Sequence, residues 1–438
     1  MIPCGCLIDR TRVLAACGLV VLAPHLGCVE QRQLGSVVLS IREAAGVDGA
    51  LDRADIVDIN YQPTDGTRGN GFSRTRGKSL ANDALAIDVA GLSATFTVAT
   101  TGGDIADTFG RSAVVNVPPL VDEPVVFEVP VILGARDAVT LLTGAPPARS
   151  DYGVCSDESG RTFIVAGLGA GQSGSVWNPT TRVLDDLDGA LGRGRASCVA
   201  DGETAIVYGG CDGAGSPVVD SVLVRVGDNE PARLIDDAAV GGSVCGGIVR
   251  RAGEDLWLVA GSTLHLFELD TQVVRERFTL PEPRFFADAA VTAEGALLLV
   301  GGVDGVGQPV PGSVVVEKDG SIHEFVAGVR AAQRGSEALL LRSTSVVRVG
   351  SDGGQSHVVD CDLTNLDVEA FVLDDDNSVF LLADEGGTSS LHVQRAGKGR
   401  VEVPGLAGRR THLILYPGGS LLLAGSGDGI DIATLADL

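Results

Sequence analysis

The feature that most constrains this chain is a recurring apolar run that stops on glycine. FIVAG ends at Gly167, AIVYGG at Gly210, LWLVAG at Gly261, LLLVGG at Gly302, SVVRVG at Gly350 and LLLAG at Gly425. FLLAD, ending at Asp384, is a degenerate copy. Successive markers lie 43, 51, 41, 48, 34 and 41 residues apart. A period of roughly 40–50 residues in a β-rich pattern predicts one four-stranded unit per repeat. The composition agrees: glycine is frequent at 60, tryptophan scarce at 2, and short Val/Leu/Ile runs are bounded by glycine turns.

Each unit repeats one plan. A small-residue strand such as ASCVA (196–200) comes first, then a tight turn such as Asp201-Gly202-Glu203. The apolar strand to glycine follows, and a polar loop leads to a third strand such as LHLFELD (264–270). A short turn gives the fourth, as in VVRERFTL (273–280). The expectation is a second strand near a crowded hub, where glycine permits positive φ and close backbone approach.

A glycine pair closing the second strand, followed by a polar turn and a third strand ending near Asp or Asn, resembles the kelch repeat over residues 136–438. The resemblance implies a β-propeller like that of galactose oxidase and kelch proteins. Seven units fit a seven-bladed ring, or six if the Asp384 unit is not a blade. The last unit, ending in GIDIATLADL, lacks a fourth strand, while DAVTLLTGAPPAR (137–149) stands as a spare one before the first unit. Their pairing would tie the ring shut and remove an open sheet edge.

Residues 36–133 show no repeat. SVVLSIRE, DIVDINYQP, ALAIDVAG, SATFTVATT, SAVVNVP and VVFEVPVIL read as strands of a small β-sandwich, immunoglobulin-like or related, with a long loop over Thr64–Asn82. The first 27 residues read as a leader: Arg10 and Arg12, an apolar run from Val13 to Ala23, then PHLGC. The run is shorter than the ~20 residues a spanning helix needs. The end at Gly27-Cys28 resembles the lipobox of bacterial lipoproteins, which implies cleavage before Cys28, acylation of that cysteine and export to the cell envelope. Residues 28–35 would be the tether. Val29 in place of Asp lacks the inner-membrane retention signal of that family and favours the outer membrane.

The formal net charge of -24 excludes a nucleic-acid binder, which needs a basic footprint. The nine cysteines lack a C-x-x-C, so zinc is not expected. Without the leader and the anchor cysteine five remain, so at least one thiol is free; Cys155 and Cys198, at matching places in their units, read as small buried residues. His265, His323, His357, His392 and His412 show no ligand spacing and fall mostly on third or fourth strands; with only Tyr152, Tyr208 and Tyr416 in the propeller, copper chemistry like that of galactose oxidase is not expected. SDESGRTF (156–163) and Asp374-Asp375-Asp376 read as polar turns between first and second strands.

One pattern stands out. The loops leading into the first strands carry Arg149, Arg195, Arg284, Arg334 and Arg409, which lie 18, 15, 18, 16 and 16 residues before their markers. On one face of a propeller they could form a ring that grips carboxylates or phosphates. The alternative is that each pairs with an acidic neighbour, such as Asp185, Asp188 or Glu282, and braces its blade. No catalytic constellation, metal set or cofactor motif is visible. The functional expectation is therefore a non-enzymatic, lipid-anchored module that binds an envelope protein or glycan. The competing expectation is a carbohydrate-active hydrolase or oxidase with its site at the channel mouth.

Overall fold

The computed structural model describes residues 12–15, 36–44, 46–65, 67, 69, 71–75, 93–103, 106–112, 114–116, 126–141, 151–157, 160–168, 174–178, 183–187, 191–217, 223–226, 232–235, 245–325, 328–406, 408–415, 421–424 and 430–434. Among them lie seven antiparallel four-stranded sheets, each adding strands in chain order except the last. The third sheet shows the plan: Ile248–Ala252, Asp255–Ala260, Thr263–Glu268 and Val273–Thr279. The seventh takes its outermost strand, Ala138–Leu141, from before the first sheet, with Ala138 opposite Thr434 and Leu141 opposite Asp431. The spare strand in the sequence therefore closes the ring. The Asp384 unit forms a full sheet through Val379–Asp384, so it is a blade like the others.

The second strands are apolar without alternation because both of their faces are covered. Leu297 and Leu299 pack toward the third sheet, while Leu298 and Val300 pack toward the fifth. Seven such seams follow, one between each pair of neighbours. The seam between the seventh and first sheets contains Leu422, Ala424, Ile164 and Trp177. Each fully buried Leu or Val contributes on the order of 1.5–3 kcal/mol, so the seams carry most of the fold's stability. A β-propeller is what this sheet order and these seams define.

The first strands stand at the hub, not the second: Gly153–Ser156, Ser197–Asp201, Ile248–Ala252, Asp288–Val291, Arg330–Arg334, Asp367–Leu373 and His412–Leu415 line the central channel. That corrects the expectation from the glycines. Their role lies at the end of the second strand: Gly301 and Gly302 have φ of 63° and 96°, and a Cβ on Gly302 would lie 2.9 Å from the Phe285 carbonyl oxygen. Only glycine fits there.

Cys155 and Cys198 are not merely small core residues. They form a disulfide between the first strands of the first two sheets, and Cys211 joins Cys245 between the second and third. Cys361 is free and buried, and burial beside Asp360 and Asp362 pushes its thiol up to about 11. Disulfides of this kind suit an oxidising compartment. Among the described residues no helix is long and apolar enough to cross a membrane.

The N-terminal unit is a continuous path of strands around one core. Val126–Ala135 passes from a parallel pairing with Ser36–Glu43 to an antiparallel one with Thr108–Arg111, so the layers of the expected sandwich are joined. Leu39, Ile41, Val129 and Val131 pack against Val57, Ile59, Phe96 and Val98. Gly71–Thr75 is a strand within the stretch expected to be loop. ALAIDVAG lies outside the described residues. So do Cys28 and most of the expected leader, of which Arg12–Ala15 pairs antiparallel with Val38–Ile41. Ala44, Val47 and Ile132 pack into the seam between the seventh and first sheets, which couples this unit to the ring.

Candidate functional site

The candidate site is the channel, a cavity of about 2170 Å³ bounded by the first strands of all seven sheets. Each first strand is the inner edge of its sheet, and side chains of the neighbouring first strand take part of its edge backbone: Gln333 accepts from the Val291 amide and donates to the Val291 carbonyl. Many lining positions are small, such as Ala196, Ala289, Ala331 and Ala332. Two ends can be told apart. At the inlet end first strands begin and second strands finish; at the turn end the two are joined.

The five arginines singled out in the sequence are not brought into one ring. Arg149 lies outside the described residues. Arg284 is 6% exposed and faces its own blade, where it donates to the carbonyl oxygens of Gly301 (2.8 Å), Gly312 (3.2 Å) and Pro311 (3.2 Å). Arg334 sits at the turn end, paired with Glu337 at 2.7 Å and donating to the Asp374 carbonyl at 3.0 Å. Only Arg195 and Arg409 meet at the inlet. Arg409 pairs with Glu369 at 2.8 Å and Asp384 at 3.7 Å, and these bonds raise its pKa. Arg195 lies 3.8 Å from Asp151, with its guanidinium 5.7 Å from the centre of the Phe286 ring. The bracing expected of such arginines is real, but backbone carbonyls supply as much of it as acids do.

Asp151, Arg195 and Phe286 share an unusual conformation. They open the first strands of the first, second and fourth sheets with φ of 55°, 56° and 56°; Gly246, at the same place in the third, has 72°. The left-handed region costs a bulky residue on the order of 1–2 kcal/mol. Phe286 stays there because its amide donates to the Gly246 carbonyl (3.1 Å) and its ring occupies the space a Gly246 side chain would fill, 2.4 Å from an added Cβ. Phe286 is nevertheless 45% exposed.

Deeper in the channel the sequence reading missed Arg250. Its Nε donates to the Ala289 carbonyl at 2.8 Å, and Nη1 donates to Ser197 Oγ at 3.2 Å and the Val249 carbonyl at 2.8 Å. Burial lowers its pKa, opposed by Asp288 at longer range. The available signal was an adjacent pair of arginines, Arg250-Arg251, in the middle of an otherwise apolar first strand. Arg251 turns outward to Asp201, at 2.8 Å. Among the described residues His412 is the one histidine on a first strand; it stacks on Tyr152 with ring centres 6.1 Å apart. Burial, with Arg250 nearby, lowers its pKa to about 4, so it is neutral near pH 7. Asp288, buried beside Arg330 and Arg250, has its pKa raised by that burial.

The turn between the first two strands of the first sheet closes with the Asp157 carboxylate accepting from the Arg161 amide, and Asp374 does the same for Ser378. Both are turn-forming acids. Among the described residues no group of three or more His, Cys, Asp or Glu could hold a metal ion.

No protein-family model and no curated protein matches the sequence. Among solved structures, YCF48 bound to a D1 peptide is similar over 67% of this chain and 96% of that chain, with 10% identity and a TM-score of 0.47. The extracellular domain of BT3049 from B. thetaiotaomicron is similar over 78% of this chain and 44% of that chain, with 11% identity and a TM-score of 0.45.

Proposed function

We propose that this chain is an exported, non-enzymatic binding module that engages an envelope protein or glycan at the inlet of its propeller channel. The observation that carries the reading is the inlet itself. An exposed aromatic held in a strained conformation, Phe286, and a guanidinium stacked on it, Arg195, open onto a large channel. Strain of this kind persists where function requires it. Aromatic and arginine side chains at a concave centre are the groups that dominate binding energy in interfaces.

The kelch type of the propeller belongs to this proposal, supported by the glycine pairs that end second strands. So does the lipid anchor at Cys28. Two disulfides support an oxidising destination. The test is a comparison of two columns. One carries residues 29–438, the other the same chain with Arg195→Glu and Phe286→Gly, and both meet solubilised envelope proteins and polysaccharides. A partner retained by the first and not the second supports the reading. Equal retention, or none, removes the inlet as a binding face. Cys28→Ser in the full chain should move the protein from the membrane to the soluble fraction; continued membrane attachment would remove the anchor.

A further inference from the structure

Three ion pairs stand at the inlet. Asp151 faces Arg195 at 3.8 Å, Asp288 faces Arg330 at 3.6 Å, and Glu369 faces Arg409 at 2.8 Å. Arg250 is the arginine left over. Among the described residues no carboxylate forms an ion pair with it; Ser197 and two backbone carbonyls take Nε and Nη1. Arg250 is half-buried on the channel wall, so an anion entering the channel meets a guanidinium that no acid yet pairs. Its guanidinium is anchored beside Ser197, two residues after Arg195, and Ala289, three residues after Phe286. At ~3.3 Å per residue, that places it roughly 7–10 Å below the aromatic platform.

We propose that the channel takes an extended acidic peptide, with one carboxylate on Arg250 and an apolar or aromatic side chain against Phe286 and Arg195. This deepens the binding reading and rests on it. The spacing suits two or three residues of extended chain, each ~3.3 Å long. Several edge groups of the first strands are already taken by neighbouring side chains, Val249 by Ser197 and Val291 by Gln333, so the peptide is held through its side chains rather than by strand addition. Charge complementarity selects the ligand. The channel wall itself carries acids, Asp374, Asp375 and Asp376 among them, so the attraction for a carboxylate is local to Arg250, which no acid pairs among the described residues. Carboxylate chemistry has two sources in a polypeptide, an acidic side chain and a free terminus, and the test separates them.

Calorimetric titrations would use three probes on residues 29–438. The first is a short peptide with one phenylalanine and two aspartates, amidated at its end. The second is a phenylalanine-containing peptide with no acidic side chain and a free carboxyl terminus. The third is an oligosaccharide of glucuronate. The expected result is binding of one or both peptides, weakened at least tenfold by Arg250→Gln and by Phe286→Gly, and weakened by added salt. Should Arg250→Gln fail to fold, Phe286→Gly still decides, because glycine accepts the φ of 56° at that position. Binding of neither peptide, binding of the glucuronate probe in their place, or equal binding by parent and variants would each overturn the proposal. If the peptides fail while the column comparison still retains a partner at the inlet, the binding module stands and only its ligand class is wrong.

Discussion

Arg193 and Arg195 lie two residues apart on one inlet loop and do opposite things. Arg193 is 2% exposed and donates to the Gly209 carbonyl at 2.9 Å, inside the blade. Arg195 adopts a φ of 56° and lies over Phe286 at the channel mouth. The same contrast separates Arg284, whose donors are consumed by Gly301, Pro311 and Gly312, from Arg250 in the channel. A guanidinium in a seam completes the hydrogen bonding of strand ends that have left their ladders. One in the channel keeps donor capacity for something else. The difference teaches that residue type at a repeat position fixes nothing until the direction of the side chain is known.

If that division is right, seam substitutions should damage stability and spare binding, and inlet substitutions should do the reverse. The largest effect is expected at Trp257, which fills the seam between the third and fourth sheets and donates from Nε1 to the Gly295 carbonyl at 3.0 Å. Trp257→Ala should destabilise by about 3–5 kcal/mol in chemical denaturation. Arg284→Met comes next. It strands the carbonyl oxygens of Gly301, Pro311 and Gly312 and should cost about 3 kcal/mol, while peptide or partner affinity measured on the folded fraction stays within twofold. Affinity lost in proportion to that of Arg250→Gln would break the comparison, because a seam residue would then be acting as a receptor.

The disulfide between Cys155 and Cys198 closes a separation of 43 residues across the first seam. Replacing both by serine should cost about 2 kcal/mol, read from denaturation midpoints. Phe286→Gly is the opposite kind of change. It exchanges a strained residue for one at ease with positive φ, so stability should stay within about 1 kcal/mol of the parent or rise. Partner retention should nevertheless fall. A large loss of stability in this variant would make Phe286 scaffold and move it to the other side of the comparison.

The repeat made the ring legible, because glycine at a strand end reflects backbone geometry that no other residue satisfies. Closure by Ala138–Leu141 was legible for a related reason: a unit one strand short and a strand without a unit can be matched on paper. The assignment of the hub was not legible. First and second strands are both short and apolar or small, and nothing in their composition says which one meets the axis. For the candidate site, loop spacing placed Arg195 and Arg409 at the inlet, but it placed Arg284 with them because spacing along a loop does not report which face a residue turns to. Arg250 was not legible, because spacing along the loops says nothing of a charge inside a strand. The pairing of Cys155 with Cys198 depends on two neighbouring first strands coming together, which their equal repeat positions allowed but did not require.

The smallest expected effect comes from His412, and it bears on Arg250 directly. Folded His412 has its pKa lowered to about 4 from the ordinary 6.5, first by burial and then by Arg250. Above pH 6.5 the ring is neutral in both folded and unfolded chains and makes no difference to stability. Between pH 6.5 and 4 the unfolded chain binds a proton that the folded chain refuses, so stability falls as the pH falls. His412→Gln should flatten that slope when denaturation midpoints are compared across the window. Measuring the variant against the parent also removes the opposing contribution of Asp288, whose raised pKa favours the folded chain toward acid. Arg250→Gln should move His412 back toward its ordinary value, visible as a shifted ring-proton titration by NMR. A bound carboxylate should do the same, because it cancels the charge that His412 feels. If the titration is unchanged by Arg250→Gln, burial alone sets the histidine, and the two groups do not share the channel as its geometry implies.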